Sequence, residues 1–131
     1  MLKFIKKIFG TKYDRDVKQY SPIVEEINTN FESYESLSHD QLRNKTKDFQ
    51  ARIAEHLKSV DTDIENIKSE INATDDLVVK ERLYAVLDEI VKKRDEHLEV
   101  VLKEILPEAF AVVKETARRF MLNETIEVAA T

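Results

Sequence analysis

The apolar positions of this chain recur mainly at helical spacing. From Tyr13 onward they alternate in steps of four and three residues, which is the pattern of one helical stripe. Pro22 lies inside this stripe and either kinks the helix or restarts it after Ser21 as N-cap. Because the stripe keeps its phase across Pro22, the pattern favours a kinked helix. Its apolar members are Tyr13, Val17, Tyr20, Val24, Ile27, Phe31 and Tyr34.

A second helix is predicted to begin in the segment LSHDQL. Ser38 as N-cap and Gln41 three residues later form a capping box, and Leu37 and Leu42 form the hydrophobic staple that accompanies it. The helix is then predicted to continue along one apolar stripe. The members of that stripe are Leu42, Phe49, Ile53, Leu57, Val60, Ile64, Ile67 and Ile71.

The polar segment NATDD ends this stripe, and Thr74 or Asp75 is predicted to cap a third helix. Arg94 interrupts the apolar pattern of that helix. Each of the two stripes covers about 30 residues, or roughly 45 Å of helix. A short polar turn between stripes of equal length predicts an antiparallel helical hairpin. The apolar members of the third helix are Leu77, Leu83, Leu87, Ile90, Leu98, Val101 and Ile105.

A separate final helix is predicted for residues 107–121. The residue before a proline resists the α conformation, so Leu106 should end the hairpin and Pro107 should be the first residue of a new helix. Residues 125–131 resemble the opening of a strand that lacks a partner, which predicts that the chain is the front part of a longer protein. The predicted fold class is all-α. The final helix is expected to bury Phe110, Val113, Ala117 and Phe120.

The first nine residues, MLKFIKKIF, predict a short amphipathic helix that Gly10 ends. Apolar residues fill one face and lysines fill the other, as in helices that lie in a membrane interface. A terminal helix docked on the protein's own core, with its lysines in solvent, is the alternative. On the membrane interpretation the lipid-binding residues are Lys3, Phe4, Ile5, Lys6, Lys7, Ile8 and Phe9.

Composition and charge add to this picture. The chain has 131 residues, of which 36% are charged, with one Gly, two Pro and no Cys. So few turn-forming residues favour long helices with few connections. The net charge is −5, but residues 1–12 carry four lysines and no acid, so the remainder carries −9. Such an acidic body argues against a nucleic-acid partner.

No apolar run approaches the ~20 residues of a membrane span, and the lysines interrupt any secretory signal. Together these two features predict a cytoplasmic protein.

Several kinds of catalytic site are excluded within the chain. With a single glycine it contains neither a phosphate-binding loop nor a dinucleotide motif. The histidines form no metalloprotease or di-iron motif and are interpreted as solvated helix residues. The segment YAVLDEI resembles a Walker B strand, but its apolar residues continue a helical stripe, so Asp88 and Glu89 are expected on the exposed side. We therefore predict no catalytic, cofactor or metal residue. The histidines are His39, His56 and His97.

Two blocks of sequence resemble the N-terminal part of the SecA family, the preprotein translocase ATPases of bacteria. Residues 7–53 contain K-I-F-G, R-D, P-I-V-x-x-I-N and L-S-x-x-x-L-R-x-K-T-x-x-F-x-x-R, and residues 106–119 read LPEAFAVVKETARR. In most of the family a short linker separates these blocks, so the hairpin at residues 54–105 is predicted to be an insertion. The family's adenine-recognition and phosphate-loop motifs are not found after Arg119.

The resemblance implies three regions. Residues 1–53 would be SecA-like N-terminal helices, residues 54–105 the inserted hairpin, and residues 106–131 the start of a nucleotide-binding domain, truncated before its ATP site. It implies a full-length ATPase that uses ATP with Mg and drives unfolded preproteins through the SecY channel. That protein would be cytoplasmic and peripheral on the inner membrane. The N-terminal helix would contact anionic phospholipid and SecY, and the segment would be a possible homodimer. The alternative is a self-contained helical adaptor tethered to membrane by its basic N-terminus.

Overall fold

The computed structural model describes residues 11–123 and residue 125. Within this part of the chain it contains three helices and no strand, so the all-α prediction is confirmed. They are α1 (Lys12–Tyr34), α2 (His39–Ala73) and α3 (Leu77–Leu122). None of these helices is long and apolar enough to cross a membrane. The predicted amphipathic helix lies outside the described residues, as does the predicted strand apart from Thr125, which belongs to no helix.

The start of α1 is set by a capping box that the sequence analysis did not identify. The backbone N–H of Asp14 donates to Thr11 Oγ1 at 3.2 Å, and the N–H of Thr11 donates to Asp14 Oδ2 at 2.6 Å. This backbone hydrogen bond, more than any other interaction, holds the pKa of Asp14 below its ordinary value. The helix then continues through Pro22 to Tyr34, so it does not restart after Ser21.

The cap of α2 is the one predicted. Gln41 N–H donates to Ser38 Oγ at 3.2 Å, and Ser38 N–H donates to Gln41 Oε1 at 2.8 Å. The predicted cap of α3 is wrong by one or two residues, because Asp76 caps this helix. Asp76 Oδ1 accepts from the N–H of Val78 at 2.8 Å, while Thr74 Oγ1 accepts from the N–H of Asp76 at 3.3 Å. Thr74 therefore supports the turn, and Asp76 satisfies the free amides of the helix.

The separate final helix is also a correction, since α3 runs without interruption through Pro107. A proline inside a helix removes one hydrogen bond, but its fixed φ is itself helical. Pro107 is buried, as are Ile105 before it and Ala111 after it. Packing on both sides of the proline therefore outweighs the local preference of Leu106 to leave the α conformation.

The chain divides into two compact units. Arg43–Ile105 form the hairpin unit, in which α2 and α3 are antiparallel as predicted. Arg94, which interrupts the apolar stripe, donates from Nε to Asp61 Oδ1 at 2.5 Å. The interruption is thus matched by a carboxylate on the facing helix. The buried apolar residues of this unit are Leu57, Val60, Ile64, Ile71, Val101 and Ile105.

Of the described residues, 11–42, 106–123 and 125 belong to the second unit, here called the terminal unit. Its described core consists of Tyr34, Leu42 and Ala111, with Phe31, Leu37 and Val112 packed around them. The residues that were predicted to be buried on the final helix are instead exposed. They are Phe110, Val113, Ala117 and Phe120.

Candidate docking surface

A buried carboxylate organises the terminal unit. The side chain of Glu115 is fully buried, and its two oxygens accept from two arginines on the same helix. Arg118 donates from Nε to Oε2 at 2.8 Å and from Nη2 to Oε1 at 2.9 Å. Arg119 donates from Nε to Oε1 at 2.7 Å. The charge of Glu115 is therefore matched in a short, fork-shaped contact of the kind that arginine makes with carboxylates.

These hydrogen bonds determine the protonation state of Glu115. The hydrogen bond from Arg118 lowers the pKa of Glu115, burial acts in the opposite direction, and Arg119 lowers it further, to about 2. Glu115 is therefore ionised at neutral pH although it is buried. Because an ionised carboxylate is costly to bury alone, the two arginines are required for it to remain there.

Arg119 also fixes the connection between α1 and α2. Its Nη2 donates to the backbone carbonyl of Leu37 at 2.7 Å and to that of Tyr34 at 3.4 Å. Its Nη1 lies 3.1 Å from His39 Nδ1. The Tyr34 carbonyl, at the end of α1, also accepts from the N–H of Leu37 at 3.1 Å, so Arg119 adds a second hydrogen bond to a carbonyl that has no partner within the helix. The end of α3 thereby fixes the end of α1 and the start of α2.

Further contacts join α1 to α3 within this unit. Tyr34 Oη donates to Glu108 Oε2 at 3.1 Å. Lys114 Nζ donates to Asn28 Oδ1 at 2.6 Å and lies 4.2 Å from the ring centre of Phe31. The last part of α1, from Asn28 on, therefore packs on the Glu115 side of α3.

The opposite side of α3 is apolar and open to solvent. We call Phe110, Val113, Ala117 and Phe120 the terminal face. At about 100° per residue, all four lie on the side of the helix opposite Glu115. The exposed fractions of Phe110, Val113 and Phe120 are 57%, 67% and 55%. A helix that packs by one side and presents such an apolar stripe on the other has a surface suited to docking.

A second apolar surface runs along the first half of α1. Tyr13, Val17, Tyr20 and Val24, here called the α1 face, are all exposed, and Tyr13 is 74% exposed. They line a shallow groove together with Asp16, Ser21 and Glu25. The predicted stripe of α1 thus divides into an exposed first half and a packed second half.

The sequence-predicted site and the observed surfaces differ in position. All seven predicted lipid-binding residues fall in residues 1–10, outside the described part of the chain. Sequence analysis placed Arg118 and Arg119 at the negative end of the final helix but missed Glu115 and its pairing with both arginines. The spacing could have indicated this pairing, because the arginines lie three and four positions after Glu115. Residues at these distances are neighbours on one helix face. The prediction that Asp88 and Glu89 are exposed is confirmed.

The described residues thus form an all-helical segment with exposed apolar faces on α1 and on the end of α3. Comparison with known proteins gives the family. Residues 5–129 match the family model described as the SecA DEAD-like domain. The chain belongs to the SecA family, and the resemblance drawn from its two sequence blocks is confirmed. No solved structure matches the chain.

The relatives are proteins named protein translocase subunit SecA. The one from Chloroherpeton thalassium is 45% identical over 125 residues, covering 95% of this chain and 12% of the relative. The one from Flavobacterium psychrophilum is 47% identical over 128 residues, covering 97% of this chain and 12% of the relative. The one from Porphyromonas gingivalis is 42% identical over 129 residues, covering 98% of this chain and 12% of the relative. The chain thus spans about an eighth of the length of these relatives.

Proposed function

We propose that this chain is the N-terminal part of a SecA-type translocase, and that its own task is docking. In this proposal the terminal face packs on the rest of the DEAD-like domain, while residues 1–10 bind anionic membrane and the SecY channel. The full-length protein uses ATP with Mg to move unfolded preproteins through that channel. It works in the cytoplasm as a peripheral protein of the inner membrane, and it is a possible homodimer.

One observation carries the docking proposal: the side of α3 opposite Glu115 is apolar and exposed in a chain that spans 12% of its relatives. Burial of one large apolar side chain stabilises an interface by about 1.5–3 kcal/mol. Phe110, Val113 and Phe120 together therefore provide a substantial driving force for packing. Because Arg119 and Glu115 hold α3 against the connection between α1 and α2, this stripe is presented on a fixed support.

The docking proposal is tested in the full-length protein that contains this segment. Phe110→Asp combined with Val113→Asp should strongly reduce preprotein-stimulated ATP hydrolysis and the import of a preprotein into inverted inner-membrane vesicles. A charge placed in an apolar interface stays unpaired and is costly there. Val86→Asp, at an exposed apolar position of the hairpin unit, is the matched control and should leave both activities near the parent level. Translocation at the parent rate in the double variant would contradict the proposal.

The membrane part of the proposal rests on the lysines and aromatic residues of the N-terminus. Lys3, Lys6 and Lys7 should each contribute about 1 kcal/mol near an acidic leaflet. Vesicle co-sedimentation of the 131-residue chain should show binding to anionic vesicles that weakens as salt rises. Substituting all three lysines with Glu should weaken it more than substituting Phe4 and Phe9 with Ala. Equal binding to neutral and anionic vesicles, or full binding by the triple variant, would favour a helix docked on the protein itself.

A further inference from the structure

Two histidines face each other across the hairpin unit. The ring centres of His56 on α2 and His97 on α3 lie 5.6 Å apart, with ring planes tilted by 57°. Their positions are set by the packing beside them. Leu57, next to His56, and Val101, one turn beyond His97, are both buried. The Asp61–Arg94 ion pair, about one turn away from the histidines, holds the same antiparallel register.

We propose that His56 and His97 form a binding site for a divalent transition-metal cation such as Zn²⁺ or Ni²⁺. Two imidazoles that share one tetrahedral Zn²⁺, each with a Zn–N bond of about 2.0–2.1 Å, have ring centres roughly 5–6 Å apart. The observed separation falls in this range. Imidazole nitrogen is a preferred ligand for Zn²⁺, Ni²⁺ and Cu²⁺ and a poor one for Mg²⁺ and Ca²⁺.

The alternative to a metal site is a direct contact between the two aromatic rings. The tilt of the ring planes distinguishes between kinds of such contact. Planes at 57° are far from the parallel arrangement of offset stacking. A tilted ring contact remains the alternative that the experiment must separate from a metal site. In that alternative the two rings pack on each other and bind no cation.

From the residues around His56 and His97 we expect a labile metal site with two protein ligands. Among the described residues no group of three or more His, Cys, Asp or Glu side chains is placed to hold a metal ion, so water completes the coordination. Glu55, the sequence neighbour of His56, pairs with Lys58 at 3.7 Å, and adjacent positions on a helix point about 100° apart, so the neighbouring carboxylates are not counted as ligands. Arg52 and Lys93, one turn before each histidine, oppose a bound cation. A metal held by both rings ties α2 to α3 and binds only the folded hairpin, so it raises the melting temperature.

Calorimetric titration of the 131-residue chain with Zn²⁺ and with Ni²⁺ tests the proposal. We expect saturable binding that His56→Gln and His97→Gln each weaken by tenfold or more, since each removes one of two ligands. His39→Gln is the matched control, because His39 lies in the terminal unit beside Arg119, and it should retain the parent affinity within about twofold. Mg²⁺ should give no heat of binding. The rise in melting temperature with Zn²⁺ should disappear in both ligand variants.

A titration of the parent chain followed by imidazole nitrogen resonances gives a readout that does not depend on any variant folding. Zn²⁺ should shift the ring resonances of His56 and His97 together and leave those of His39 in place. The proposal is overturned if the parent shows no saturable binding, or if the His39 resonances move as far as the others. Unchanged affinity in either His56→Gln or His97→Gln would also overturn it, and would leave the two rings as a simple aromatic contact.

Discussion

Replacing Glu115 with Gln removes the charge at the centre of the terminal unit and keeps the shape of the side chain. The two arginines then face an amide whose NH₂ group cannot accept a hydrogen bond, and their charges lose their buried partner. A carboxyl whose pKa falls from its ordinary 4.5 to about 2 on folding stabilises the folded state at neutral pH. At 1.36 kcal/mol per pKa unit, this stabilisation is about 3 kcal/mol.

The pH dependence follows from the direction of this shift. Because the folded-state pKa of Glu115 is depressed, its contribution is fully present above pH 4.5 and is lost as the pH falls towards 2. Urea unfolding followed by circular dichroism should therefore show Glu115→Gln about 3 kcal/mol less stable than the parent at pH 7. The difference should shrink steadily between pH 5 and pH 2, where the parent carboxyl takes up its proton and comes to resemble the amide.

The matched control lies on the same helix. Glu99 pairs with Lys103 at 3.3 Å, and both side chains are more than 70% exposed. Exposed pairs of this kind contribute little, so Glu99→Gln should change the free energy of unfolding by less than about 1 kcal/mol at any pH. The reasoning about Glu115 fails if Glu115→Gln lies within about 0.5 kcal/mol of the parent at pH 7. It also fails if the difference between the two proteins does not depend on pH.

Three further predictions concern the helices themselves, and each is measured by urea unfolding at pH 7. Ile64→Asp places an unpaired charge in the buried seam of the hairpin and should cost several kcal/mol, whereas Val91→Asp, at a position that is 40% exposed, should cost far less. Equal losses of stability would mean that the seam is wrongly assigned. Asp76→Ala removes the cap of α3 and should cost about 1 kcal/mol, while Asp75→Ala should be nearly neutral, and the reverse order would place the cap elsewhere. Pro22→Ala should stabilise the chain by roughly 1–3 kcal/mol, because Pro22 is exposed inside α1 and alanine restores the missing hydrogen bond. A loss of stability would show that the proline ring makes a contact of its own.

Features that depend on neighbours in the chain could be predicted from the sequence. The capping box of Ser38 and Gln41 was predicted correctly because its two partners are three residues apart. The antiparallel hairpin followed from two equal apolar stripes joined by a polar turn. The family followed from short motifs, which need no knowledge of packing. In each case the evidence lies within a few neighbouring residues or repeats regularly along one helix.

The tertiary structure alone decided which side of α3 is buried. Phe110, Val113 and Phe120 have the spacing of a core stripe, and sequence reasoning assigned them to the core. In the folded chain the opposite side packs, because Glu115 can be buried there with its charge matched by Arg118 and Arg119. Arg119 in turn satisfies the carbonyls of Tyr34 and Leu37, which lie more than 80 residues away in the chain. Periodicity shows that a helix has an apolar side, but which side is buried depends on the hydrogen bonds that distant segments supply.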